Sequence, residues 1–537
     1  MRQHFFDMAL STESDDTSQL YYRSDKFANK DGFLYTQTAG SSVSFDTCFN
    51  MVPSGKIIRY TDAEEISFDI DADGDYKLEI YSSDGTREKL LTVGNTIKIK
   101  ELPENSVYVY PKITAYGSLL IKRISVYCEI AKVCRINPVL IMCTFRREEY
   151  AVTNANLISR CEGLDVILVD NGKTIKKEQL SPGVELIYNE NTGGSGGFSR
   201  GMQVAAEKNK YSHFVVMDDD VRIDTVSLYK LFGFLRMLKA EYSKLCVSGA
   251  MLFSDRPTIQ FESGGFFSAD GQQKGYGYSY DLTDARILAL NEQQKEINYG
   301  GWWFMCMPMS YVYDGNYPLP FFIKYDDVEY ALRCRLNIVT LNGVSVWHEP
   351  FEWKYNSSSE YYNMRNYLHL RSLIDKNFTK RQAKKIMQKQ RYEKLCRQQY
   401  KMAEAVKRGY LDYLKGIDYL KNTDAEANHK NICKLNYVML SEKELSEKYN
   451  VKLSEEKYLE SQKITYKRYK RMLMYGLLVP KIFCKKDYVV TDSFFDRKEM
   501  YFRYKVAVHY DRHSNKGYIT KKGFIKYKSK DGTDYYE

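Results

Sequence analysis

Three apolar runs in this chain, VLIMCTF (139–145), VILVD (166–170) and HFVVMDDD (213–220), each end in polar or charged residues. A strand whose residues are nearly all apolar must be covered on both faces. A lone antiparallel strand with one wet face would alternate instead. The intervening segments EEYAVTNANLISRCEG (148–163) and GFSRGMQVAAEKN (197–209) carry helical periodicity and supply that cover. Buried strands alternating with helices predict a parallel α/β sheet. Ligands of such sheets bind at the carboxyl ends of the strands. Here those ends are Thr144 to Arg147, Asp170 with Asn171, and Asp218 to Asp220.

At 537 residues the chain exceeds one ordinary core, so further domains are expected. Residues 1–133 hold short alternating runs separated by Asp-Gly turns, such as ISFDI, YKLEIYS, VYVYPKI and LLIKRISVY. These predict a β-sandwich that is structural or contacts carbohydrate, with no catalytic constellation. The α/β domain takes residues 134–374, and a helical region is expected over 375–537. Its tail sets Lys463, Lys467, Arg468, Lys470 and Arg471 beside the apolar stretch 472–480, which is too short to span a bilayer. That tail suits either an anionic membrane surface or a helix face packed by its apolar side, as at a contact in a homo-oligomer. A net charge of +10 is modest for this length and gives no reason to expect nucleic acid. The 11 cysteines are scattered with no C-x-x-C pair, and charge interrupts the first residues where a signal peptide needs an apolar core. A cytoplasmic chain, peripheral on the inner membrane face, is the expectation.

Five motifs carry candidate chemistry. In MDDD three adjacent carboxylates end a buried strand, which calls for a compensating cation; a solvated acidic turn or helix cap is the bland alternative. Extended backbone puts Asp218 and Asp220 on one side and Asp219 on the other. The stretch NTGGSGGFSRG (191–201) offers backbone amides to an anion at a helix start, although glycine-rich turns are common. In PLPFFIKYDDVEYALR, Asp326 and Asp327 follow an apolar wall that raises a carboxyl's pKa toward that of a general base, or else one of them caps the helix. His348 follows another apolar strand and could complete an oxygen-and-nitrogen metal site with Asp218 and Asp220, or be a satisfied structural histidine. Trp302 and Trp303, half of the 4 tryptophans, are core or a stacking surface for a sugar ring.

In this order CTFRR, VDNG, NTGGSGGFSRGM, VMDDDV, GGWWF, PLPFFIKYDDVEYALR and VWHEPF resemble the bacterial galactofuranosyltransferases, a branch of the inverting family-two glycosyltransferases. The matching motifs run from about residue 138 to 366. The resemblance implies a multidomain α/β chain with a central glycosyltransferase A-type, Rossmann-like domain behind an N-terminal β-sandwich. It implies UDP-galactofuranose as donor, a glycan or lipid-linked glycan as acceptor, and Mn2+ or Mg2+ as cofactor. Carried over by position, Asp218, Asp220 and His348 would hold the metal. Thr144, Arg147, Asp170, Asn191, Asp219 and Arg365 would bind the donor. Asp327 would be the base, with Trp302, Trp303, Lys324 and Asp326 at the acceptor. Tyr325 stands where the family's motif has tryptophan, which bears on acceptor choice; Asn363 stands where a histidine would hold the diphosphate. Two other functions fit the same motifs less fully: transfer from another donor, a UDP-hexopyranose or dTDP-rhamnose, and non-catalytic glycan binding.

Overall fold

The computed structural model describes residues 1–437 apart from 12–14, 294, 352–354 and 397–398, and beyond them short strands between 439 and 536. The basic tail at 463–471 and the stretch 472–480 lie outside the described residues. The chain forms two compact units, one of Met1–Leu319 with Asp327–His348, the other of Pro320–Asp326 with Glu349–Glu537. It is a multidomain protein of mixed sheets and helices.

In the first unit, residues before 130 form two antiparallel sheets, of six and five strands. Leu119–Glu129 is central to one, between Phe33–Thr36 and Glu65–Asp73. Tyr108–Ala115 is central to the other, between Ser42–Ser44 and Tyr76–Ser83. Their inward positions, including Phe68, Ile80, Ile113, Ile121 and Val126, are fully buried.

The same unit contains a ten-stranded mixed sheet. Pro138–Thr144, Asp165–Asp170, Val184–Tyr188 and His213–Asp218 run parallel. Phe304–Pro308 inserts antiparallel beside His213–Asp218, and Leu245–Phe253 then restores the original direction. Asn337–His348 pairs parallel with Leu245–Phe253, so His348 lies at the same edge of the sheet as Thr144, Asp170 and Asp218. Helices Glu148–Ile158 and Gly193–Lys208 pack on these strands. The N-terminal sheets are anchored to this sheet through buried polar groups. Lys230, wholly buried, donates to the carbonyls of Phe49 (2.9 Å) and Met51 (2.7 Å), and Phe49 stacks on Trp347 at 5.6 Å. The two parts therefore make one contact unit.

The second unit holds helices Ser357–Ile374, Lys380–Cys396, Tyr400–Leu414, Ile417–Asn422 and Ala425–Cys433. Met364, Leu368, Ala383 and Val406 form a fully buried core among the first three. The unit that holds the central sheet ends at His348, and Ser357–Ile374 packs on Tyr400–Leu414 in the second unit. Beyond 438, where helix was expected, the described residues are strands, with Tyr501–Asp511 central. Its sequence, YFRYKVAVHYD, is aromatic and β-branched, a strand former that the helical reading of the preceding segment overran. Among the described residues no helix is long and apolar enough to cross a membrane.

Candidate active site

Three strand ends build the centre of the site. Asp218 closes its strand, and Asp219 and Asp220 turn away from it. The chain then re-enters as Arg222–Ile223, which pairs antiparallel with Trp347 and Val346, and the Arg222 guanidinium sits 4.0 Å over the Trp347 ring. That short pairing ties the aspartate turn directly to the strand that ends in His348. As a result Asp218, Asp220 and His348 each bring one ligand atom within 4.8 Å of the others. His348 Nε2 is 3.3 Å from Asp220 Oδ1, and the imidazole is buried.

The electrostatics match a cation site. Burial and the neighbouring Asp220 push the Asp218 carboxyl up to about 7, with His348 opposing. Crowded carboxylates of this kind are relieved by a bound cation. Two carboxylates and one imidazole suit a divalent ion that keeps other positions open. The residues therefore fit Mn2+ or Mg2+.

Asp219 is separated from that trio, as alternation predicts. It accepts from Thr144 Oγ1 at 2.6 Å and from Arg147 Nη1 at 3.2 Å. Burial raises its pKa, against the pull of Arg147 and Thr144. Arg147 also reaches Asp220 Oδ2 at 2.6 Å, so it bridges the two carboxylates. Asn154, which the sequence gave no reason to single out, fixes the turn by donating to the carbonyls of Asp219 (2.9 Å) and Val221 (2.7 Å).

The glycine-rich stretch enters a helix at Gly193 and makes up its first turns rather than a loop before it. Added Cβ atoms would lie 2.0 Å from Cys143 Sγ at Gly197 and 2.2 Å from Ile141 Cγ2 at Gly201. Those two glycines let the helix lie against the central strand. Asn191 is buried at its start, and its Oδ1 accepts from the Gly193 amide at 3.3 Å. Asp170, wholly buried, accepts from the amides of Gly172, Thr174 and Ile175 at 2.8, 2.7 and 2.8 Å, so its carboxylate organises the turn after its strand.

Asp326 and Asp327 open the helix Asp326–Cys334, and Asp327 Oδ1 accepts from the Val328 amide at 2.8 Å. The preceding residues Phe322, Lys324 and Tyr325 have φ of 72°, 66° and 66°, left-handed values that side chains rarely adopt. Asn366 Nδ2 holds that turn through the carbonyls of Phe321 (3.1 Å), Ile323 (2.8 Å) and Lys324 (2.9 Å). Arg365 is buried and spends its guanidinium on Phe321 O (2.6 Å), Asn366 Oδ1 (2.9 Å) and Tyr361 OH (3.3 Å). These bonds hold the turn before Asp326 and are all made within the second unit.

Facing Asp327 electrostatically is Glu262, which sequence reasoning missed. Burial, then the charge of Asp327, push its carboxyl up to about 8. Its Oε2 accepts from Tyr299 OH at 3.4 Å, and its Oε1 is buried with no hydrogen-bond partner. A glutamate inside the run TIQFES was the available signal. Trp302 and Trp303 are both in the wall, 6% and 8% exposed, and Trp303 Nε1 donates to Gly249 O at 2.9 Å.

Fold and site together define an α/β chain with a carboxylate–histidine cluster that fits a cation at its strand ends and a strained carboxylate turn on the same chain. No family model matches it. Galactofuranosyltransferase GlfT2 of Mycolicibacterium smegmatis is 25% identical over 371 residues, covering 61% of this chain and 57% of that protein. GlfT2 of Mycobacterium tuberculosis is 24% identical over 376 residues, covering 62% and 58%. The chain is thus a distant relative of the galactofuranosyltransferases, and it spans less than two thirds of the length of the curated relatives it matches. Mannosyl-3-phosphoglycerate synthase from Rubrobacter xylanophilus gives a TM-score of 0.27 at 10% identity, over 44% of this chain and 73% of that one, a likeness too slight to bear on the fold.

Proposed function

We propose that the chain is an inverting galactofuranosyltransferase that moves galactofuranose from UDP-galactofuranose to a hydroxyl of a cell-surface glycan or lipid-linked acceptor. The observation that carries this reading is the convergence of Asp218, Asp220 and His348 at the strand ends, in a chain whose relatives bear that name. A divalent cation held by those three residues would neutralise charge gathering on the departing diphosphate. Arg147, already seated on Asp219 and Asp220, adds a guanidinium donor toward the same phosphates. Thr144 and Asp219 orient that arginine, while Asn191 and Asp170 shape the two turns that line the donor side.

Asp327 takes the proton from the attacking acceptor hydroxyl. Glu262 beside it stays protonated at neutral pH, so the pair divides into one base and one hydrogen-bond donor. With a single base and no carboxylate nucleophile in the scheme, attack is direct and the anomeric configuration inverts. Lys324 and Asp326, at the strained turn, contribute to acceptor binding, and Arg365 supports that turn. The test is incubation with UDP-galactofuranose, UDP-galactopyranose or dTDP-rhamnose against a panel of glycan acceptors, with product linkage read by NMR. Transfer from UDP-galactofuranose with a β-linked product is expected; transfer only from another donor, or retention of configuration, rejects the reading.

A further inference from the structure

Both tryptophans offered by the sequence as a sugar surface are buried, yet the same wall carries an open ring. Tyr278 is 59% exposed. It meets Phe253 edge-on at 6.2 Å and Phe261 edge-on at 5.9 Å, and Phe261 meets Trp303 edge-on at 6.0 Å. Phe253 is the register partner of His348, and paired residues of a parallel ladder project to one face of a sheet. Tyr278 is therefore one ring contact from the strand partner of a candidate metal ligand and two from Trp303.

The backbone around Tyr278 is built to hold that ring out. Gly277 and Ser279, its two neighbours, have φ of 79° and 60°. A serine in this region is strained, and strain of this kind persists only where surrounding bonds over-determine it. Those bonds come from one side chain and its own backbone. Gln260, wholly buried, donates from Nε2 to Gly277 O at 3.1 Å, and its carbonyl accepts from the Ser279 amide at 2.9 Å. Gln260 Oε1 is in turn held by Asn291 Nδ2 at 2.7 Å. A Cβ at position 277 would lie 1.8 Å from Gln260 Nε2, so glycine is required there. A buried amide, an obligatory glycine and a left-handed serine are thus committed to a ring that stays more than half in water.

We propose that Tyr278 is an outer acceptor subsite, whose open face stacks on a sugar of the acceptor glycan beyond the residue that receives the transferred unit. This rests on the glycosyl-transfer reading above. The apolar C–H face of a sugar ring complements the negative face of an aromatic ring. Because the turn is already fixed, stacking orders little that was mobile. Short acceptors do not reach the ring and long ones gain from it, so Tyr278 sets a preference for acceptor length.

The experiment compares the full chain with Tyr278→Ala and Tyr278→Phe, using synthetic galactofuranosides of increasing length. Tyr278→Ala should raise KM for long acceptors by about five- to ten-fold. It should leave kcat, short acceptors, UDP affinity and melting temperature unchanged, and Tyr278→Phe should behave as wild type. An unchanged KM for long acceptors, or an equal loss for short and long ones, overturns the subsite. Saturation-transfer NMR of the same glycans separates this from failure of the transferase reading. Tyr278-dependent binding without transfer would reject the transferase and keep the subsite; transfer indifferent to Tyr278→Ala rejects the subsite alone; absence of any glycan binding rejects both.

Discussion

Replacing Glu262 by Gln should make the protein more stable at alkaline pH and leave it unchanged in mild acid. The carboxyl is buried, one oxygen has no partner, and Asp327 repels its charged form, so its pKa rises from 4.5 to about 8. The folded state therefore holds this proton more tightly than the unfolded chain does. Its contribution to stability is complete below pH 4.5 and is lost as pH rises through about 8. At about 1.36 kcal/mol per pH unit, the ceiling on that loss is roughly 5 kcal/mol. Local relaxation and water entry reduce such penalties, so about 1–3 kcal/mol is the expected difference. Glutamine is the neutral isostere. Urea melts of wild type and Glu262→Gln at intervals from pH 5 to 9 should coincide at the acid end and diverge steadily upward. Adding Asp327→Asn should shrink the divergence, because the second cause of the raised pKa is gone. A difference that does not vary with pH, or a wild type more stable than the variant at pH 9, refutes the assignment.

Asp220→Ala should abolish both Mn2+ binding by calorimetry and transfer, and full turnover in excess chelator would reject the metal reading. Asp327→Asn should stop transfer while UDP affinity stays within a few-fold of wild type; a collapse of UDP binding would move Asp327 to the donor side. Gly197→Ala, whose new Cβ meets Cys143 Sγ at 2.0 Å, should cost about 1–3 kcal/mol and lower the melting temperature; an unchanged melt would show that the helix can lift from the sheet without loss.

The central sheet was legible because a strand covered on both faces announces itself as an unbroken apolar run, and three such runs end in the residues that matter. The trio Asp218, Asp220 and His348 was legible for the same reason: each closes or follows a buried strand. Other parts were not. No local pattern separates a buried tryptophan from an exposed one, so the sequence left Trp302 and Trp303 open as core or sugar surface, and it gave no reason to single out Tyr278. The structural partner of Arg365 was not legible because the carbonyl of Phe321 lies 44 residues away in sequence. Glu262 was hidden because its raised pKa depends on burial and then on the charge of Asp327, both set only by the fold.

The pairing of Arg222–Ile223 with Trp347 and Val346 has a bearing on how the protein is made. Asp218 and Asp220 leave the ribosome long before His348, and the strand that carries the histidine is the last to join the central sheet. A chain interrupted before residue 337 therefore owns two crowded carboxylates and lacks the imidazole that completes the trio. Such distant strand pairings form late, because loop closure precedes the contacts that reward it. On the proposed reading, only a chain translated past residue 348 would hold all three candidate ligands, so the complete set would mark a central sheet whose last strand has been made.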